Sequence, residues 1–189
     1  MKKITATLAC LATLACGTVN AAEPENLRII GEDTKFVVQT PQGPQEITRV
    51  MTPCAKNKGW LQPLIPQKGV TPVTEIEILH ALNDKDALVI DMRVIDDRIK
   101  GTIPNSISIP YTEVAMRLGE LGCTKAASKW DCRKAKKVYA FCNGPVCPQS
   151  PIAIEAMVRD GFPAKKIYYY RGGMLDWEAL GLTTVRGDF

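Results

Sequence analysis

Apolar and polar positions change their rhythm near residue 70. Before it, residues 23–70 hold six prolines and few apolar runs. Lys35 to Gln39 and Gln45 to Val50 alternate with the period of two that a half-buried strand needs, and Thr40-Pro41-Gln42-Gly43-Pro44 between them is rich in turn residues. This predicts a β-hairpin. The rest of residues 22–69, with Cys54 and Trp60, reads as an irregular N-terminal extension, an appendage rather than a second domain.

From residue 70 to residue 189 the texture is that of one α/β unit. Ile76, Leu79, Ala81 and Leu82 fall at helical spacing behind Pro72 and Thr74, and Asn83-Asp84-Lys85-Asp86 ends the pattern. Ala87 to Asp91 is a continuous apolar run of strand length, as expected where both faces of a parallel strand are covered. Ile107 to Ile109, Val138 to Phe141 and Lys166 to Tyr170 are further strands, and Ile152 to Val158 is a helix. Alternation of this kind predicts helices packed on a parallel sheet. Ligands of such sheets gather at the carboxyl ends of strands, where Asp91 and Cys142 fall.

The first residues carry another message. Met1-Lys2-Lys3, an apolar stretch from Ile4 to Ala15 and Val19-Asn20-Ala21 read as a signal peptide over residues 1–21, cleaved on export to the periplasm. Leu14-Ala15-Cys16-Gly17 has some likeness to a lipoprotein signal, but Thr13 stands where an aliphatic residue is preferred, so plain cleavage is favoured over lipid attachment at Cys16. No later stretch approaches the length of a transmembrane segment. Removal of Lys2 and Lys3 takes the net charge from +4 to +2, a balance that argues against a nucleic-acid or polybasic membrane binder. Arg117, Lys125, Lys129, Arg133, Lys134, Lys136 and Lys137 crowd one segment against Glu120 and Asp131. A solvated face is the first reading of it, and docking of an anionic substrate or acidic partner the second.

Five cysteines survive cleavage: Cys54, Cys123, Cys132, Cys142 and Cys147. In an oxidising compartment an odd number leaves at least one thiol unpaired in a monomer. Cys123 and Cys132 bracket the basic segment and read as a local disulfide. Cys142 and Cys147 frame the most informative stretch, Cys142-Asn143-Gly144-Pro145-Val146-Cys147-Pro148-Gln149-Ser150, which joins a strand to a helix. Ser150 reads as the N-cap and Pro151 as the first helical residue. Unpaired N–H groups and the helix dipole then favour a thiolate, a persulfide or a bound oxyanion, and Gly144 lets the chain curl so that N–H groups point inward. Pro145 and Pro148 remove two donors from that cradle.

Val89-Ile90-Asp91-Met92-Arg93 followed by Gly101-Thr102-Ile103-Pro104-Asn105-Ser106-Ile107-Ser108-Ile109-Pro110 resembles the first signature of rhodanese-like domains. Val138 to Cys142 resembles the strand and catalytic cysteine of that family, and Gly161-Phe162 with Arg171-Gly172-Gly173-Met174-Leu175-Asp176-Trp177 its second signature. The resemblance implies a three-layer α/β fold with about five parallel strands, and a sulfurtransferase in which Cys142 takes the outer sulfur of a small donor as a persulfide. The acceptor would be a thiol or other nucleophile, proteins included, and no metal or cofactor is needed. Residues 143–150 would line the substrate site, with Asp91 and Arg93 as structural or substrate-orienting neighbours.

Departures from the family pattern qualify this. Residues 143–150 carry no cation, which makes thiosulfate a poor expected donor, and Thr102 stands where the signature usually has His. Cys147 is open to several roles: resolving thiol for Cys142, disulfide partner of Cys54, buried small residue, or itself the nucleophile with Cys142 in support. A thiol-disulfide redox protein using Cys142 and Cys147 and a non-catalytic rhodanese-like binding module remain the alternatives. A phosphatase relative of the fold would need an Arg closing the loop, where Gln149 and Ser150 stand. His80, the only histidine, reads as a surface residue.

Overall fold

The computed structural model describes residues 25–29, 32–52, 58–127 and 129–188; the predicted signal, Cys16 and Cys54 lie outside them. The predicted hairpin forms from β1 (Lys35–Thr40) and β2 (Gly43–Thr48), antiparallel, with Thr40 paired to Gly43. The turn is tighter than expected because the Thr40 hydroxyl donates to the Gly43 carbonyl at 2.8 Å and Gly43 takes a φ of +111°.

After β3 (Thr71–Pro72), helix α1 (Glu75–Ala81) opens with a capping box: Thr74 is the N-cap, and its N–H and hydroxyl both donate to the Glu77 carboxylate at 2.8 Å. Next come β4 (Ala87–Asp91), the short α2 (Ile95–Arg98), β5 (Ile107–Ser108), the small antiparallel pair β6 (Thr124–Ala126) and β7 (Lys129–Asp131), then β8 (Lys137–Phe141), α3 (Gln149–Arg159), β9 (Ile167–Tyr170) and α4 (Gly173–Ala179). Five strands make one parallel sheet in the order β3-β9-β8-β4-β5. The α/β fold class, with its central five-stranded parallel sheet, flanking helices and N-terminal hairpin, is as expected.

Successive residues of the inner strands feed two separate cores. Ile90, Val138, Ala140 and Tyr169 pack with Ala153, Ile154 and Met157 of α3. Val89, Phe141 and Tyr170 pack with Ile78 of α1 and with Met174 and Trp177 of α4. Both faces are covered, so the strands carry apolar residues at consecutive positions rather than alternate ones.

In the basic segment, Arg117 pairs with Glu113 and Glu120, Arg133 with Asp131, and Lys137 with Asp84. Lys125 lies over the Trp130 ring. These local contacts fit the solvated-face reading. A Cys123–Cys132 disulfide with an S–S distance of 2.05 Å clasps the β6–β7 excursion at its base. Replacing both cysteines by serine is expected to lower stability by about 2–3 kcal/mol, the loop-closure entropy of so short a ring, measured by urea denaturation.

Candidate functional site

Asp91 ends β4 completely buried, which requires its charge to be matched. Arg93 does this with two bonds, Nε to Oδ1 at 2.8 Å and Nη2 to Oδ2 at 2.7 Å. The Thr102 hydroxyl donates to Oδ2 at 2.8 Å, and Arg98, itself 4% exposed, lies 3.7 Å from the same oxygen. Thr102, where the family signature usually has His, thus makes the tie between the first signature's two halves. Arg93 extends the network to the cysteine loop through Nη1, which donates to Asn143 Oδ1 at 3.3 Å, while Asn143 Nδ2 donates to Asp97 Oδ2 at 2.9 Å.

The loop runs from Cys142 to Pro148 between β8 and α3. The carbonyls of its first four residues are tied away from the sulfurs: Met174 N–H donates to Cys142 O at 3.0 Å, Leu175 N–H to Asn143 O at 2.9 Å, Cys147 N–H to Gly144 O at 2.9 Å and Gln62 N–H to Pro145 O at 2.8 Å. With the carbonyls turned away, the N–H groups of Asn143 and Gln149 favour a negative Cys147 sulfur and that of Ser150 a negative Cys142 sulfur. None of these donors is lost to Pro145 or Pro148. Crowding sets the shape: a Cβ on Gly144 would stand 2.9 Å from the Leu175 Cβ, and one on Gly173, whose φ is +55°, would overlap the Cys142 carbonyl oxygen.

One expectation is corrected here. Helix α3 begins at Gln149 with Pro148 as N-cap, two residues before the Ser150 cap and Pro151 start read from sequence. Pro148 already has a helical backbone (φ −83°, ψ −6°), so the helix starts there, and Pro151 is tolerated because the first-turn N–H groups need no helical partner. Ser150 is fully buried inside the first turn, where its hydroxyl has no partner at hydrogen-bonding distance.

Cys142 and Cys147 are both free thiols, 1% and 2% exposed. The pairing of Cys147 with Cys54, one of the roles left open for it, falls on a residue outside the described ones. The Cys142 thiol donates to the Cys147 carbonyl at 3.4 Å. Burial pushes the Cys142 thiol well above its usual range, and the hydrogen bond and charge of Cys147 push it further; Ser150 acts in the opposite direction. Cys147 is lowered to about 7, first by the bond from Cys142 and then, against burial, by the Gln149 and Asn143 N–H groups. The resting charge of the pair therefore sits on Cys147, whereas the sequence reading favours a Cys142 thiolate. Both are buried, but Cys147 has the Gln149 and Asn143 N–H groups to offset it while Cys142 faces the charge of Cys147.

A cavity of about 250 Å³ adjoins the outer side of the loop, lined by Arg93, Asp97, Lys100, Asn143, Leu175 and Glu178 among others. Asp97 and Lys100, 3.5 Å apart, were not singled out in the sequence, because nothing local to a short helix marks them. Tyr169 lies on the strand predicted over Lys166 to Tyr170, and nothing local marks it as part of the site. Its hydroxyl is buried with no hydrogen-bond partner, and its pKa is raised by burial and then by the charges of Cys142 and Cys147, which places the phenol beside the pair. Among the described residues there is no cluster of His, Cys, Asp and Glu that could hold a metal ion.

Fold and site together define a parallel α/β domain with a buried two-thiol loop at the carboxyl edge of its sheet. The chain belongs to the rhodanese-like domain family, whose model matches residues 75–180. Among similar proteins, the HTH-type transcriptional regulator Rv0324 of Mycobacterium tuberculosis is 28% identical over 115 residues, 61% of this chain and 45% of that protein. The chain thus matches less than half the length of that relative. The uncharacterized protein YibN of Escherichia coli is 29% identical over 119 residues, 62% of this chain and 74% of the relative. A thiosulfate sulfurtransferase from Pseudomonas aeruginosa is similar in structure, with a TM-score of 0.49 and 25% identity, covering 63% of this chain and 21% of that one.

Two glycines give a test of the loop's packing. Gly181 also has a positive φ, +70°, but nothing lies within 4 Å of an added Cβ. Gly181→Ala is expected to cost about 1 kcal/mol from backbone strain, and Gly173→Ala at least about 2 kcal/mol because the Cys142 carbonyl must move as well, both read by urea denaturation.

Proposed function

We propose that the protein is a periplasmic sulfurtransferase that carries sulfane sulfur as a persulfide on Cys142, with Cys147 as its base. The observation that carries this reading is the pair itself: two free, buried thiols in one short loop, the Cys142 thiol bonded to the Cys147 carbonyl, with N–H groups that favour anionic sulfur. In the first half-reaction, the Cys142 sulfur bonds to the outer sulfur of the donor and its proton passes to the Cys147 thiolate. The donor's sulfur–sulfur bond breaks, and its electron pair leaves with the inner sulfur. In the second, an acceptor nucleophile bonds to the outer sulfur and Cys142 recovers its proton from Cys147. No external oxidant or reductant enters.

A base that titrates near 7 is suited to this step at neutral pH. The buried Ser150 and Tyr169 hydroxyls are uncharged donors for the added sulfur. Arg93 is committed to Asp91, Gly101 and Asn143, and Lys100 to Asp97, so the cavity offers a dianion such as thiosulfate little free positive charge. A low-molecular-weight persulfide or polysulfide is the donor class this favours, and the acceptor is a thiol or other nucleophile, small or protein-borne. Export to the periplasm rests on the signal-like residues 1–21. A second reading draws on the same contact between the thiols: Cys147 attacks the Cys142 sulfur of the persulfide, closes a disulfide and releases hydrosulfide, which makes the pair a redox couple.

Mass spectrometry of the mature protein after exposure to thiosulfate, a polysulfide or a thiosulfonate tests both. One added sulfur mapped to Cys142, absent in Cys142→Ser, is the expected result. Reversible loss of two hydrogens without retained sulfur replaces it with the redox reading, and inertness toward every donor leaves a binding module. The transfer rate is expected to rise with pH through about 7, because the base works only as the thiolate above its pKa. In Cys147→Ser that inflection disappears and the rate falls about 100-fold or more.

A further inference from the structure

The N-terminal extension does not hang free of the domain. Residues 58–62 cross the cysteine loop backbone to backbone: Gln62 N–H donates to Pro145 O at 2.8 Å, and Gly59 lies so near Val146 that a Cβ there would overlap the Val146 carbonyl oxygen. Gln62 is 5% exposed. Arg171, at the end of β9, holds this strap from the other side, with Nη1 donating to Gln62 O at 3.1 Å, and Leu61 N–H donates to Ile29 O at 3.1 Å.

The two flanks of the loop differ in what would have to break to uncover the sulfurs. On the α4 flank, Cys142 and Asn143 are bonded to Met174 and Leu175, and Gly173 leaves no room for movement. The cavity on the outer side is lined on the loop by Asn143, Gly144 and Val146, and neither cysteine is among its lining residues. Among the described residues the strap's ties to the loop itself are few, its other contacts, Lys58 to Glu25 at 2.9 Å and Arg28 over the Trp60 ring, being made within the N-terminal extension. Trp60 and Leu61 are exposed, so little apolar burial holds the segment down.

We propose that residues 58–62 form a strap that gates the thiol pair and selects its reactants by size, the strap lifting off Pro145 and Val146 to admit anything larger than a small donor. Gln62, Gly59 and Arg171 act through the loop and touch no reacting atom, so they are positioning residues. The strap controls access whichever reaction the thiols perform.

Alkylation of the mature full-length protein with iodoacetamide and with a bulky fluorescein maleimide tests it, with modification of Cys142 and Cys147 mapped by peptide mass. For the native chain the bulky reagent is expected to lag far behind the small one. Arg171→Gln, which removes the bond to Gln62 O, and Gly59→Ala, which pries the strap from Val146, should each speed the bulky reagent about five- to tenfold, as loss of about one net hydrogen bond predicts. The small reagent should change less. These rates should vary little with dilute urea, since lifting a strap exposes little surface while global unfolding exposes much. If the ratio of bulky to small rates is unchanged in both variants, or the acceleration follows the urea slope of global unfolding, the gate is refuted. Alkylation reads access and not sulfur transfer, so this outcome is distinct from failure of the persulfide reading.

Discussion

Everything distinctive about the site follows from the direction in which the loop's peptide groups point. Carbonyls from Cys142 to Pro145 are satisfied by donors outside the cradle or by the loop's own turn; the Asn143 N–H, which shares its peptide group with the Cys142 carbonyl, is thereby left to the sulfurs, and those of Gln149 and Ser150 are left to them because they open α3. A peptide group has one donor and one acceptor end, so fixing the acceptor outward fixes the donor inward. The usual cation of an anion site is replaced by backbone geometry. That geometry lasts only while every outward carbonyl keeps its partner.

The partners come from three places far apart in the chain. Helix α4 supplies Met174 and Leu175, the loop itself supplies Cys147, and the N-terminal extension supplies Gln62. Beneath them the buried Asp91 gathers Arg93, Arg98 and Thr102, and Arg93 carries the tie onward to Asn143. Breaking such a buried group by removing one partner leaves a charge without compensation, at a cost of about 3–5 kcal/mol. The network is therefore a rigid base for the loop, whereas the strap contact above it is slight. Stability and access are handled by different sides of the same loop.

The two thiols in this cradle are pushed in opposite directions. Burial favours the neutral form of Cys142, and the N–H groups together with the Cys142 thiol favour the charged form of Cys147. A cysteine that is a poor thiolate at rest is then deprotonated by its neighbour only as it reacts. Cys147 stands just before α3, so the Gln149 N–H that opens the helix adds to the effect of the Cys142 thiol in holding its charge.

Much of this was legible in the chain. The consecutive apolar residues of Ala87–Asp91 and Val138–Phe141 announce a covered parallel sheet, since only a strand buried on both faces has no polar side to show. The spacing of Cys142 and Cys147 between a strand and a helix locates the loop, and the bracketing of a short excursion by Cys123 and Cys132 identifies the disulfide. Helix α3 starts two residues before the Ser150 cap that composition suggests, because Pro148 already has a helical backbone. The sharing of charge between the thiols, the approach of Tyr169, and the seating of Gln62 on Pro145 were decided by tertiary structure alone. Each depends on how deeply a group is buried and what stands opposite it, and chain neighbours carry no record of either.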